Sequence, residues 1–181
     1  MKKFILALCA LIGTSLCVCA QNSGKQHKQT KQVMVAYFSA TGTTKAAAKL
    51  LATATGGTLT EIAPVKPYSN ADLDWRNESS RSFVEMHNAK ARPACRKTDV
   101  SKYGVIYIGY PIWWNEAPRI INTWIEANNL KGKVIIPFAT SGGNTIDNSA
   151  AILKKTYPSL NWKEGRLLNN ANAKTIESWV K

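Results

Sequence analysis

Four hydroxyl side chains fall within six residues, directly after an uninterrupted apolar run that ends at Phe38. They are Ser39, Thr41, Thr43 and Thr44, with Gly42 between them, and an alanine-rich helical pattern follows. A helix that begins here exposes unpaired backbone N–H groups and the positive end of its dipole. The segment therefore predicts a cradle in which neutral donors hold a phosphate monoester. An ordinary strand-to-helix turn with capping residues is the alternative.

The spacing within residues 39–44 differs from two common phosphate-binding motifs. The nucleoside-triphosphate loop has two glycines five positions apart, followed by Lys-Ser or Lys-Thr. The dinucleotide fingerprint has three glycines. Because the segment has one glycine, we expect a mononucleotide with one terminal phosphate rather than a triphosphate or a dinucleotide.

A second segment, residues 110–118, reads Tyr-Pro-Ile-Trp-Trp-Asn-Glu-Ala-Pro and follows another apolar run. Adjacent side chains on an extended backbone point in opposite directions. We therefore expect one of Trp113 and Trp114 to pack inward and the other to face a ligand, with Trp113 favoured as the contact. A large aromatic at this position suits stacking on a planar ring. The alternative is that both tryptophans are packing residues.

A third segment, residues 140–144, reads Thr-Ser-Gly-Gly-Asn and also follows an apolar run. Two residues without side chains let backbone N–H groups reach the edge of a flat ligand. A flexible turn that enters a helix would have the same composition.

The elements that must position these segments alternate between strand and helix. Apolar or alternating runs predict strands at 32–38, 58–62, 103–109, 134–139 and 162–168, and helical patterns cover 43–55, 116–128, 146–157 and 172–181. This alternation predicts a doubly wound α/β sheet, in which ligands bind beyond the carboxyl ends of the strands. All three segments lie at those ends. Pro137 conflicts with the fourth strand because it lacks a ladder donor.

The long connection 66–102 does not fit this alternation. It contains Tyr68, Trp75 and a predicted helix at 79–88. Excursions of this length are often functional lids, although a surface meander is equally compatible with the composition.

The first twenty residues predict an export signal, with Lys2 and Lys3 before an apolar stretch and a small residue at the cleavage point. Residues 21–31 form a basic, polar leader, and 32–181 a single domain. We expect a periplasmic protein, with lipid attachment at Cys19 as the alternative. Cys95 is then the one remaining cysteine, which excludes an internal disulfide.

The formal net charge is +13. Charge alone would permit nucleic-acid binding, but export makes nucleic acid an unexpected target. An anionic membrane surface or an acidic partner fits better.

Together the three segments resemble the FMN-binding loops of the flavodoxin family. Residues 39–44 match the family pattern Ser/Thr-x-Thr-Gly-x-Thr. Tyr-Pro-Ile-Trp-Trp and Thr-Ser-Gly-Gly resemble an exported flavodoxin-like subgroup. The resemblance implies a five-stranded parallel sheet of order 2-1-3-4-5 with helices on both faces, and non-covalent FMN. The cofactor-binding residues that it implies are Ser39, Ala40, Thr41, Gly42, Thr43, Thr44, Pro111, Ile112, Trp113, Trp114, Asn115, Thr140, Ser141, Gly142 and Gly143.

The resemblance further implies an oxidoreductase or electron-transfer role, with a redox partner or a small-molecule donor or acceptor and no catalytic acid or base. Three departures stand out. The chain is basic, Asn115 lies where flavodoxins often have glycine, and segment 140–144 lacks a ring-covering aromatic, so that one ring face is open or covered by Tyr68 or Trp75. An electron shuttle without small-molecule turnover and a flavin-free binding protein are alternatives.

Overall fold

Residues 32–180 are described by the computed structural model. The predicted export signal (1–20) and leader (21–31) lie outside the described residues. Within 32–180, no helix combines the length and the apolar composition needed to cross a membrane.

A parallel sheet forms the centre of the domain. Its strands are β1 (Gln32–Tyr37), β2 (Thr58–Glu61), β3 (Tyr103–Pro111), β4 (Val134–Thr140), β5 (Asn161–Trp162) and β6 (Arg166–Leu167). The order is β2-β1-β3-β4-β5, with β6 also paired to β4, and every pairing is parallel. The predicted fold class and strand order are confirmed. The predicted fifth strand, 162–168, is two short strands instead of one.

The break between β5 and β6 explains how the sheet accommodates Pro137. The carbonyls of Ile135 and Ala139 accept hydrogen bonds from Lys163 and Leu168 on the β5–β6 side, at 2.8 and 2.7 Å. Residues 135, 137 and 139 alternate along β4, so their backbone groups point to the same side. The position where Pro137 lacks an N–H therefore faces the gap between β5 and β6 rather than β3. A Cβ on Gly165 would lie 2.7 Å from Cγ of Pro137, so the proline ring requires glycine there.

Within residues 32–180, five α-helices accompany the sheet: α1 (Thr43–Thr55), α2 (Arg81–Met86), α3 (Arg119–Ala127), α4 (Asp147–Thr156) and α5 (Ala173–Val180). The bounds of α1 are as predicted. The predicted helix at 116–128 begins later, because the backbone of Glu116 is hydrogen-bonded to Trp113 within a turn and Pro118 directly precedes the helix. The predicted helix at 79–88 is shorter, since Ser80 caps α2 by accepting from the N–H of Phe83 at 3.3 Å.

Both faces of the sheet are covered. Successive residues of β3 point to opposite faces, so Ile106 and Ile108 pack in one buried cluster with Trp124 of α3, while Tyr107 packs in a second with Leu51 of α1. Burial on both faces accounts for the nearly continuous apolar strands. The parallel pairing of β1 with β3 and of β3 with β4 places their carboxyl ends side by side.

The connection 66–102 lies against these carboxyl ends and is anchored by polar contacts. The Arg81 guanidinium lies 3.9 Å from the ring centroid of Tyr68, and Glu85 accepts from both residues at 2.6 and 2.5 Å. Nη2 of Arg119 donates to the carbonyl of Met86 at 2.8 Å. These contacts hold α2 at the sheet edge where the three predicted segments end.

Candidate functional site

A cavity of about 680 Å³ opens at the carboxyl ends of β1, β3 and β4. This volume is in the range typical of small-molecule sites, roughly 300–1,000 Å³. The three segments predicted from the sequence meet on its wall, together with part of the connection 66–102. The lining residues are Ala40, Thr41, Leu73, Trp75, Ser82, Pro111, Ile112, Trp113, Trp114, Ser141, Gly142, Gly143 and Asn144. We call the three segments the β1 loop (39–44), the β3 loop (110–116) and the β4 loop (140–144).

The β1 loop leaves donors at the start of α1 without partners from the protein. Gly42 adopts φ +94°, a left-handed conformation that favours glycine, and its N–H donates to Oγ of Ser39 at 3.1 Å. Within the described residues, α1 has neither a side-chain cap nor an acidic residue in its first turn. The hydroxyls of Thr41 and Thr43 lie 3.5 Å apart, at hydrogen-bond distance only marginally. The loop is therefore arranged to accept an anion.

The last hydroxyl of the β1 loop has a different environment. Thr44 is buried, and its Oγ1 lies 2.8 Å from Oγ1 of Thr140, which is also buried. This contact joins the first turn of α1 to the end of β4. The structure therefore places these two threonines as a connection between loops rather than on the cavity wall. The other predicted residues that do not line the cavity are Ser39, Gly42, Thr43 and Asn115.

The β3 loop contains a tight turn that the sequence did not indicate. Trp113 and Glu116 exchange two backbone hydrogen bonds of 3.0 and 2.9 Å, and the residues between them, Trp114 and Asn115, have φ +45° and +63°. Positive φ at both central positions defines a type I′ turn. Asparagine tolerates this conformation, whereas a bulky tryptophan is strained in it.

This turn corrects the prediction that the two tryptophans separate into one core and one cavity residue. That prediction assumed an extended backbone at residues 113 and 114. The backbone instead forms the turn, and both side chains line the cavity. Trp113 also packs against Phe38 and Tyr68, with ring centroids 5.6 and 5.5 Å away. Trp114 is 37% exposed.

Aromatic residues of the connection 66–102 support both tryptophans. Phe83 lies edge-on to Trp114 at 5.7 Å, and Tyr68 packs against Trp113. Of the two residues expected to cover an open ring face, Trp75 lines the cavity and is 64% exposed, whereas Tyr68 packs behind Trp113. Burial, reinforced by the acceptor Glu85, raises the pKa of Tyr68 well above its usual range, so its phenol stays neutral.

The β4 loop is held by side chains on three sides. Asn169 accepts from the N–H of Ser141 at 2.8 Å and donates to its carbonyl at 2.6 Å. Oγ of Ser141 accepts from the N–H groups of Gly143 and Asn144 at 3.2 and 2.8 Å. The side chain of Asn144 donates to Oδ1 of Asn115 at 3.1 Å, which ties the β4 loop to the β3 loop.

Gly142 and Gly143 have no structural requirement for glycine within the chain. Neither has a φ in the left-handed range, and a Cβ added at either would meet nothing within 4 Å. Both line the cavity, so the space beside them is the cavity itself. The residues fit a flat ligand that approaches the backbone closely.

The cavity wall has no ionisable side chain among the described residues. Two cations that follow the loops are paired: Nζ of Lys45 lies 4.0 Å from the Glu61 carboxylate, and Nη1 of Arg119 lies 2.7 Å from the Glu116 carboxylate. Cys95 does not line this cavity, and burial raises the pKa of its thiol. The wall therefore suits a neutral ring, with an anion only at the β1 loop.

Sequence reasoning missed four residues of this site: Leu73, Ser82, Asn144 and Asn169. Leu73 and Ser82 belong to the connection 66–102, where no periodicity or motif marks them. Asn169 follows β6 by two residues, and β6 is parallel to β4. The available signal was a polar residue at the carboxyl end of a parallel strand. The apolar pattern that predicts this strand is weak, however.

Comparison with known proteins gives consistent results for this arrangement. The model of the family described as Flavodoxin matches residues 32–181. A crystal structure of a candidate flavoprotein from Bacteroides eggerthii is 59% identical, with a TM-score of 0.81, and covers 83% of this chain and 96% of its own. A second, from Bacteroides uniformis, is 53% identical with a TM-score of 0.81, covering 83% and 97%.

A flavoprotein from Lactobacillus acidophilus, solved in complex with FMN, is 20% identical with a TM-score of 0.66 and covers 83% and 99%. At that identity it shows a shared fold. A comparison with curated proteins gave no match.

Proposed function

Because this chain belongs to the flavodoxin family, we propose that it is an exported protein that binds FMN non-covalently and acts as an oxidoreductase. The observation that supports this most directly is the meeting of the β1, β3 and β4 loops on one cavity with an uncharged wall. An anion-accepting start of α1 lies at one end of that cavity, and two tryptophans line it. FMN has the matching parts, a phosphate and a planar ring system.

The phosphate of FMN would be held by the β1 loop. Thr41 and Thr43 offer hydroxyls that are not committed elsewhere, and the uncapped start of α1 offers N–H groups and the positive end of its dipole. Lys45 follows directly but is paired with Glu61 at 4.0 Å. Neutral donors therefore provide most of the binding, as the sequence indicates.

The ring system of FMN would lie between the β3 and β4 loops. Trp113 and Trp114 offer aromatic surface on one side. Gly142 and Gly143 offer backbone that nothing in the protein obstructs. The Lactobacillus protein, which shares the fold, was solved with FMN, and the two Bacteroides proteins are named as candidate flavoproteins.

FMN supplies the redox chemistry when it is bound. The protein binds and orients it, and excludes water along the apolar wall. Because the described wall has no acid or base, protons would come from solvent rather than from a lining side chain. Trp75 lines the cavity and is 64% exposed, so a small donor or acceptor would approach from this solvent-facing side.

An electron shuttle that docks to a redox protein is the second function. The net charge of +13 favours it in one respect, since a basic surface steers an acidic partner. Bleaching of the bound flavin by NADH or NADPH alone would favour the oxidoreductase, whereas reduction only by a partner protein would favour the shuttle. Export through residues 1–20, and contact with an anionic membrane surface, belong to the proposal in either case.

The test of the proposal is identification of the cofactor. The chain from residue 21 onward is purified, incubated with equal FMN and FAD, desalted and denatured, and the released flavin is separated by chromatography. We expect FMN in about equimolar amount with the protein. Release of FAD, or of no flavin, would contradict the proposal.

A further inference from the structure

Ser82 is the one cavity residue whose side-chain polar atom has no partner despite full burial. It is 2% exposed, and its Oγ makes no hydrogen bond within residues 32–180. The other buried side-chain N or O atom without a partner among the described residues is Nε of Arg119, but that guanidinium is bonded through Nη1 to Glu116 and through Nη2 to Met86. The hydroxyl of Ser82 is the only polar group that its side chain has.

A buried hydroxyl without a partner lowers stability, since it loses its hydrogen bonds to water and gains none. Native structures retain such groups rarely, and those that persist need a physical explanation. Ser82 lines the same cavity as the three loops. A ligand in that cavity is therefore a candidate for the missing partner.

The neighbours of Ser82 indicate which end of the cavity it serves. Phe83, the next residue of α2, packs edge-on against Trp114 at 5.7 Å. Arg81, on its other side, lies over Tyr68, which packs against Trp113. Ser82 is therefore on the side of the β3 loop and its tryptophans.

We infer that Ser82 hydrogen-bonds to the polar edge of the flavin ring, so that α2 forms a fourth wall of the cofactor site beside the three loops. A serine hydroxyl can donate or accept, which suits a neutral ring with polar atoms at its edge. The inference rests on the proposed function, and it assigns a cofactor contact to the connection 66–102.

The experiment compares Ser82→Ala with the wild-type chain for three ligands: FMN, riboflavin and lumiflavin, which is the ring system alone. The affinities are measured by calorimetry and by quenching of flavin fluorescence. We expect all three to weaken by the same factor, about tenfold for one hydrogen bond. Ser79→Ala, at an exposed serine of the same connection, is the matched control and should change none of them.

The melting temperature of the ligand-free protein gives a second readout. Ser82→Ala deletes an unsatisfied group, so the ligand-free variant should melt at the same temperature as the wild type or higher. A residue with a purely structural role would instead lower it. FMN should raise the melting temperature of the variant by less than it raises that of the wild type.

Equal affinity of Ser82→Ala and wild type for lumiflavin would overturn the inference, and so would a lower melting temperature of the ligand-free variant. Weakening of FMN alone would also overturn it, because the contact would then be at the phosphate. If the wild type bound no flavin, the proposed function itself would be wrong. If the wild type bound flavin and Ser82→Ala bound it equally well, only the inference about Ser82 would be wrong.

Discussion

The β1 loop differs from the β3 and β4 loops in how its polar groups are satisfied. The β3 and β4 loops are bonded to each other through Asn115 and Asn144, and in the β4 loop Asn169 is bonded to both backbone groups of Ser141. The β1 loop has an uncapped helix start, and its exposed threonines, Thr41 and Thr43, make only one marginal contact, with each other. All three loops border the same cavity, but hydrogen bonds within the protein fix only the β3 and β4 loops.

The difference shows which part of the binding free energy comes from preorganisation. Loops that are already fixed lose little conformational entropy when a ring binds between them. Donors without partners gain more when an anion arrives, because they exchange water for a charged acceptor. We therefore expect changes in the β1 loop to act on affinity alone, and changes in the other two loops to act on stability as well.

The largest effect should come from removing both hydroxyls of the β1 loop. In Thr41→Ala with Thr43→Ala, each lost charge-assisted hydrogen bond is worth about 1.5–3 kcal/mol, so FMN affinity should fall by two decades or more. Riboflavin lacks the phosphate and should bind as before, which calorimetry with both ligands would show. Thr53→Ala, at an exposed threonine of α1, is the control. Equal weakening of both ligands would mean that these hydroxyls do not contact the phosphate.

Replacement of Trp113 tests the structural character of the β3 loop. Trp113→Ala removes packing against Phe38 and Tyr68, and since Trp113 is half-buried we expect about 2–3 kcal/mol lower free energy of unfolding. Urea denaturation of the ligand-free protein measures this. Trp114→Ala should cost less than about 1 kcal/mol, because its ring is partly exposed. Equal losses of unfolding free energy in the two variants would contradict this difference between Trp113 and Trp114.

Removal of the clamp on the β4 loop should have an intermediate effect. Asn169→Ala deletes both hydrogen bonds to Ser141, and we expect a loss of about 1–2 kcal/mol in unfolding free energy. FMN and riboflavin should weaken equally, since the phosphate is not involved. Asn161→Ala on the exposed edge strand serves as the comparison. Normal affinity with unchanged stability would show that the β4 loop does not depend on this side chain.

The smallest effect isolates the backbone strain at Trp114. Trp114→Gly and Trp114→Ala lose the same ring, but glycine accepts φ +45° and alanine does not. We expect the glycine variant to be more stable by about 1 kcal/mol, the left-handed penalty less the entropy of glycine in the unfolded chain. Paired thermal melts measure the difference. A more stable alanine variant would imply that the turn relaxes when the indole is removed.

Local patterns were sufficient for three central strands of the sheet and for the bounds of α1. Apolar runs located β1, β3 and β4, and Gly56 closed α1 at the predicted residue. They were insufficient where tertiary contacts set the backbone. Trp113 and Trp114 were expected on extended backbone, but Asn115 bonds to Asn144 and Asn148 and stabilises a turn there. Thr44 was expected at the ligand, but its position opposite Thr140 became apparent only when β1 and β4 were placed.

The sequence by itself determined the alternation of strands and helices and the three loops that follow β1, β3 and β4, because hydrophobic periodicity distinguishes these elements. The strand order was implied by the resemblance to the flavodoxin family, and the structure confirms it. Only the tertiary structure decided which side chains reach the cavity. Residues far apart in the chain, such as Ser82, Trp114 and Ser141, meet there through packing of the connection 66–102 against the β3 and β4 loops. Contacts of that kind depend on three-dimensional placement, which local propensity does not encode.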